Sequence, residues 1–242
     1  MIPASELSLA ALAELFTAGY EGYFVPMHVD EAAIRYFVDA WDLDLARSRV
    51  EPGEGVALLG VRGDRGWVGG LGVVPSARRK GLGRALMESI LAEAPPLVRL
   101  EVIEQNEPAI ALYEALGFRR VRWLEVWALT AEVDPAEVRE VDARPLGQTD
   151  LPWQRQDESL ADYERIETDG GEALIRVAGP RVSVLQLRAD GPDPARTLLA
   201  AARARGESLH YVNVPESDPA SQAMADLGAK LDLRQVEMQL SR

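Results

Sequence analysis

The chain has 242 residues, with 26 Lys and Arg against 39 Asp and Glu and a net charge of −13. That balance argues against a protein that coats nucleic acid or an anionic membrane through its overall field. No cysteine and two histidines, His28 and His210, are present, which excludes thiolate zinc sites, iron–sulfur clusters, cysteine nucleophiles and multi-histidine metal centres.

In chain order, residues 7–20 carry apolar side chains at helical spacing, and a second helix runs from Asp30 to Val38. Strands are predicted over 48–51, 56–61 and 67–74, with Gly63-Asp64-Arg65-Gly66 as the hairpin turn between the last two. A helix over 81–94 is stopped by Pro95-Pro96. A strand over 97–103 precedes a capped helix over 106–116, with Pro108 in its first turn and Gly117 just past its end. A strand over 121–129 closes this half. After the polar stretch 131–137 the pattern begins again: strand 138–143, helix 150–166, strands 173–177 and 181–187. A helix over 194–205, a strand over 209–214, a helix over 219–227 and a strand over 231–240 complete it.

The two halves read as a diverged repeat. Asn106-Glu107-Pro108-Ala109 lines up with Ser217-Asp218-Pro219-Ala220, and Leu116-Gly117 with Leu227-Gly228, at one shared offset. The expected organisation is a domain over 1–130, a linker over 131–137 and a degenerate copy over 138–242. No apolar run approaches the roughly 20 residues that span a bilayer. The first residues lack the basic and apolar segments of a signal peptide, so a cytoplasmic protein is expected.

One segment reverses the acidic background: four of the seven residues from 78 to 84 are basic, namely Arg78, Arg79, Lys80 and Arg84. A strand ends before them and a helix opens at Gly81-Leu82-Gly83. Glycine-rich backbone and a helix N-terminus together form a concavity for a polyanion, most simply a pyrophosphate. The segment is no P-loop, because glycine follows Lys80. It is no dinucleotide fingerprint either, because Leu86 stands where the third glycine belongs. The strand before it holds Gly66, Gly69, Gly70 and Gly72. Such glycines mark a bulge or a close backbone approach, either to a ligand along the strand edge or within a crowded sheet.

The run Val73-x-Pro-x-x-Arg78-Arg79-Lys80-Gly81-Leu82-Gly83 resembles the acyl-CoA loop of the GNAT superfamily of N-acyltransferases. Leu100-Glu101-Val102, Asn106, Ala109, Leu112-Tyr113-Glu114 and Gly117-Phe118 resemble the same family's second signature, at the expected distance. The resemblance implies an α/β fold of two tandem GNAT-like domains, each a mixed, mostly antiparallel twisted sheet flanked by helices. It implies an N-acetyltransferase that uses acetyl-CoA and no metal, with direct attack by a primary amine of a small molecule or of a peptide or protein N-terminus. Leu71, Gly72 and Val73 would supply main-chain groups to the thioester and pantetheine. Arg78, Arg79, Lys80, Gly81, Leu82, Gly83 and Arg84 would hold the diphosphate, with Asn106 as a further contact.

The resemblance also gives the chemical roles: Tyr113 as the acid for the thiolate and Glu101 as the base. The aromatic run from Tyr20 to Asp30, with Tyr23 and His28, would meet the acceptor. Each of these residues also has an ordinary structural reading, as core, cap or solvated side chain. No carboxylate stands in Trp67-Val68-Gly69-Gly70, where many family members carry one. A non-catalytic acyl-CoA-binding or interaction module is therefore the alternative. A monomer or homodimer with no nucleic-acid or membrane partner is expected. At the repeat offset Glu101 becomes Val212, Asn106 becomes Ser217 and Tyr113 becomes Met224, so the second half lacks this chemistry.

Overall fold

Most helices of the N-terminal part begin where the sequence supplies a cap. Ser8 accepts from the Ala11 amide at the start of α1 (Leu9–Gly19), and Asp30 from Ala33 at the start of α2 (Glu31–Ala40). By contrast, α3 (Leu82–Glu93) opens at Gly81 with no side-chain cap. Asn106 accepts from Ala109 at α4 (Glu107–Ala115). The computed structural model describes residues 1–242 and separates into two units, Met1–Val121 with Glu237–Arg242, and Arg122–Val236. The structure thus divides the chain at Val121/Arg122, where the sequence places a boundary near 130, and returns the last six residues to the first unit.

In the first unit the strands β1 (Ile2–Pro3), β2 (Arg49–Glu51), β3 (Gly55–Arg62), β4 (Arg65–Val73) and β5 (Leu97–Ile103) lie in that order. The end of the chain's last strand lies beside β5, where Arg99 Nε donates to Gln239 Oε1 at 3.0 Å. Neighbours from β1 to β4 are antiparallel, whereas β4 and β5 are parallel and pair only from Arg65↔Leu97 to Trp67↔Arg99. Leu12, Ile34, Leu58, Leu59, Leu86, Ile90 and Leu100 are buried between sheet and helices.

Register explains the glycines of β4. Leu58 faces Gly70 while Leu59 faces Val68, so Gly69 is the extra residue of a bulge. A Cβ at Gly70 would stand 2.7 Å from the Phe16 ring, and one at Gly19 would stand 2.9 Å from the backbone of Gly72. Crowding within the sheet and its helix, rather than a ligand along the edge, requires these residues to be small.

The second unit takes up β6 (Arg119–Leu129) from Arg122 onward. It continues with β7 (Arg139–Val141), β8 (Glu164–Thr168), β9 (Gly171–Ala178), β10 (Arg181–Ala189), α5 (Pro192–Arg203), β11 (Ser208–Pro215), α6 (Pro219–Asp226) and, as far as Val236, β12 (Lys230–Ser241). β7 to β10 pair antiparallel in sequence, and β10 pairs parallel with β11 from Arg181↔Ser208 to Val184↔Tyr211. A bulge on β10 sets Leu185 outside the ladder. Leu198, Leu199, Leu209, Tyr211, Ala223 and Met224 belong to its buried core, and Val133 and Ala136 of the 131–137 stretch pack against it. Both units are therefore mixed, mostly antiparallel sheets flanked by helices. No helix is long and apolar enough to cross a membrane.

The helix expected over 150–166 does not form. The segment makes two 3-10 turns, Trp153–Arg155 and Asp157–Ser159, and then strand β8. Pro152 disfavours helical backbone at the preceding residue, Leu151. Its own backbone is held by side chains from the sheet: Gln186 Nε2 donates to the Arg155 carbonyl at 2.8 Å and to Asp157 Oδ1 at 2.7 Å. Tertiary hydrogen bonds have overridden a weak helical pattern.

Candidate active site

Where β4 and β5 part company beyond Trp67 and Arg99, a cleft of about 550 Å³ opens in the first unit. Tyr20, Tyr23, Phe24, Leu71 and Val73 line it on one side, and Asn106, Pro108, Ala109 and Leu112 on α4 line another. Arg78, Arg79, Gly81, Gly83 and Arg84 line its end at the start of α3. Of the residues expected to bind the donor, Gly72, Lys80 and Leu82 are not among the lining groups. Lys80 is exposed. Leu82 packs towards Gly55 on β3, and Gly72 is closed in by Gly19 and Tyr20.

Arg79 has φ +60° and Gly81 φ +88°, a left-handed turn that favours glycine at the second position. With no side-chain cap, the first amides of α3 are left to an external acceptor. A Cβ at Gly83 would meet only Leu112, Val73 and Leu71, at 3.8 to 4.0 Å. Backbone packing therefore does not demand glycine there; a larger side chain would simply enter the cleft.

Arg78 does something its charge alone does not foretell. Its Nε donates to the Val73 carbonyl at 2.8 Å, and its Nη2 donates to the carbonyls of Gly19 at 3.2 Å and Glu21 at 2.6 Å. The guanidinium thus clamps the end of α1 to the end of β4. Thr17 holds the other end of the aromatic loop, exchanging hydrogen bonds with both main-chain groups of Val29 at 3.0 and 3.1 Å.

Leu71, the expected carbonyl polariser, has its N–H directed at the Tyr20 hydroxyl, 3.2 Å away. Tyr20 stacks on Phe16 at 4.6 Å and meets Tyr23 edge-on at 5.0 Å. Tyr23 and Asn106 both line the cleft. Burial pushes the Tyr20, Tyr23 and Tyr113 phenols upward, and neighbouring tyrosines add to the effect for Tyr20 and Tyr113. All three therefore stay protonated at neutral pH and act as hydrogen-bond donors. Tyr113 is buried beside Phe118 and does not line the cleft.

Glu101 does not line the cleft either. It stands on β5 two residues beyond the last pair with β4, at the vertex where the strands separate. Its Oε2 accepts from the Trp67 indole N–H at 2.7 Å, and Trp67 is itself buried edge-on against Trp41. His28 is exposed and lies outside the cleft lining. The structure thus brings together Tyr23, Leu71, Val73, Arg78, Arg79, Gly81, Gly83, Arg84 and Asn106, with Tyr113 and Glu101 set behind them. Sequence reasoning missed Tyr20, although it sits in the aromatic run already marked for the acceptor.

The profile of the acetyltransferase (GNAT) family matches residues 45–118. An N-alpha-acetyltransferase of Saccharolobus solfataricus is 31% identical over 115 residues, 44% of this chain and 69% of that protein. The peptidyl-lysine N-acetyltransferase YiaC of Escherichia coli is 47% identical over 49 residues, but the match spans only 20% of this chain and 33% of YiaC. Among solved structures, a tandem GNAT protein from the clavulanic acid biosynthesis pathway shares the fold with TM-score 0.63. That match has 15% identity and covers all of this chain and 97% of the other.

Proposed function

The chain belongs to the GNAT acetyltransferase family, and on that premise we propose that its first unit transfers an acetyl group from acetyl-CoA to a primary amine. The observation that carries the reading is the uncapped, arginine-flanked start of α3, opening into the cleft that β4 and β5 leave between them. The residues fit such a donor: free amides and Arg79 and Arg84 suit a diphosphate, and Gly83 keeps the space that a side chain would fill. When bound, the coenzyme supplies an activated thioester.

The chain's own groups divide the remaining work. Leu71 and Val73 on β4 flank the acyl and pantetheine portions, with the Leu71 amide already directed at the Tyr20 hydroxyl. Lys80 adds charge from the loop surface, and Asn106 at the cleft wall is a further contact for the coenzyme. On the family resemblance Glu101 takes the proton from the amine and Tyr113 serves the departing sulfur; since neither lines the cleft, each acts through an intervening group. With no cysteine in the chain, an acyl-cysteine intermediate is impossible, and attack within a ternary complex is the direct route. Tyr23 and the exposed Phe24 form the rim that an acceptor crosses, with His28 farther along the same loop.

The relatives named above act on a lysine side chain and on an α-amine, both primary amines. We take a small amine or a peptide or protein N-terminus as the acceptor class here, with the −13 charge favouring a cationic one. The test is acetyl-CoA with a panel of polyamines, lysine peptides and free-N-terminal peptides, read by a thiol dye. Because the chain has no thiol of its own, the dye reports CoA alone. Amine-dependent release is expected. Binding of acetyl-CoA without release by any amine would leave only a donor-binding module.

A further inference from the structure

We propose that the Tyr20 hydroxyl is the group that hydrogen-bonds the thioester carbonyl, passing on the polarity of the Leu71 amide. The inference rests on the acetyltransferase reading above and gives Tyr20 a role that neither the sequence motifs nor the family resemblance assigns. Leu71 has one N–H, and it is directed at Tyr20 Oη at 3.2 Å. A carbonyl oxygen could take that proton only by displacing the tyrosine hydroxyl.

Tyr20 has nowhere to go. Its ring is stacked on Phe16 and edged by Tyr23, and a Cβ at Gly72 would already stand 3.3 Å from that ring. A Cβ at Gly70 would lie 3.2 Å from its hydroxyl. Arg78 grips the carbonyls of Gly19 and Glu21, the residues on either side of Tyr20, so the backbone cannot swing it out.

A hydroxyl that accepts one hydrogen bond still has a proton to give. Tyr20 and Leu71 both line the cleft, so that proton is available to an acceptor there. Receiving the Leu71 N–H makes the O–H a better donor through cooperative polarisation, and burial keeps it protonated. In the transfer, the amine nitrogen forms the new C–N bond and its proton goes to the base. The C–S bond breaks, and the sulfur leaves as the thiol after gaining a proton. Tyr20 loses no proton; it stabilises the negative charge that gathers on the carbonyl oxygen.

The test variant is Tyr20→Phe, which keeps the ring stack and frees the Leu71 N–H. We expect kcat to fall by about 100- to 1000-fold, with affinity for CoA held within about twofold and the thermal midpoint nearly unchanged. A second reading needs no turnover: acetonyl-CoA carrying a 13C ketone, bound to each protein and observed by NMR. The ketone signal should move downfield on binding to the wild type and lose most of that displacement on Tyr20→Phe. An unchanged or increased kcat, or an unchanged ketone signal, would assign the carbonyl to the Leu71 amide and overturn the proposal. If the wild type itself releases no CoA, the acetyltransferase reading fails, while the ketone comparison still decides the role of Tyr20.

Discussion

In the first unit the parallel pair β4–β5 separates after Trp67 and Arg99 and leaves a cleft. In the second, the parallel pair β10–β11 separates after Val184 and Tyr211, and the chain's own Arg155 enters the gap. That guanidinium, 1% exposed, donates to the carbonyls of Leu185 at 3.3 Å and Asn213 at 2.8 Å and to the Tyr211 hydroxyl. The parallels run deep. Each sheet has a bulge, at Gly69 and at Leu185. In each, a tyrosine hydroxyl stands beside the gap: Tyr20 accepts from the Leu71 amide, and Tyr211 accepts from Arg155. The same strand pattern thus gives an open cleft where small and aromatic residues line it, and a sealed polar core where Arg155 and Gln186 fill it.

The difference also appears before the helices. Gly81, left-handed and flanked by basic residues, leads into α3, whereas β10 reaches α5 through Asp190-Gly191, with an extended Gly191 and Pro192 at once. Buried charge is tolerated at Arg155 because its donors find acceptors on both strands.

The largest effect expected is from Glu101→Gln, which should lower kcat by about 10²- to 10⁴-fold in steady-state assays. Val212 holds the repeat position, so nothing in the second unit can substitute. Arg155→Ala strands the Leu185 and Asn213 carbonyls and the Tyr211 hydroxyl. It should cost about 3–5 kcal/mol, read as an early denaturant transition, with affinity for acetyl-CoA unchanged. A new donor site in that variant would break the contrast between the units. Arg78→Lys cannot span the three carbonyls that the guanidinium reaches, and kcat should fall about tenfold, by analogy with loosened positioning elsewhere.

The smallest effect concerns acid. Burial alone would raise the Glu172 carboxyl, but hydrogen bonds and charge from Arg165 and Arg188 outweigh it and hold it below its usual range. Its folded-state value lies beneath the unfolded one, so its contribution is complete above the ordinary carboxylate range. That contribution is lost as pH falls through the depressed value. Glu172→Gln should therefore flatten the acid limb of the second unit's stability curve without touching turnover.

Much of this was legible in the sequence because it is local. Caps at Asp30 and Asn106, the turn at Gly63, and the basic loop with Gly81 and Gly83 each depend on neighbours a few residues away. The glycines of β4 announced a bulge or close approach, but only the register separates the two: Gly69 makes the bulge, and Gly70 and Gly72 yield to Phe16, Gly19 and Tyr20. Tyr20 and Arg155 were out of reach because their hydrogen-bond partners stand 30 to 58 residues away. For the same reason, the helical pattern over 150–166 misled: its residues answer to β10 and β11, not to one another.

Calorimetric titration of the full chain with acetyl-CoA tests the contrast between the two units most directly, using the wild type and Gly83→Leu. One equivalent should bind per wild-type chain. Gly83→Leu should bind at least about 100-fold more weakly, since its side chain enters the cleft between Leu71, Val73 and Leu112, while its thermal midpoint stays near that of the wild type. Two equivalents per chain, or undiminished binding by Gly83→Leu, would contradict the account.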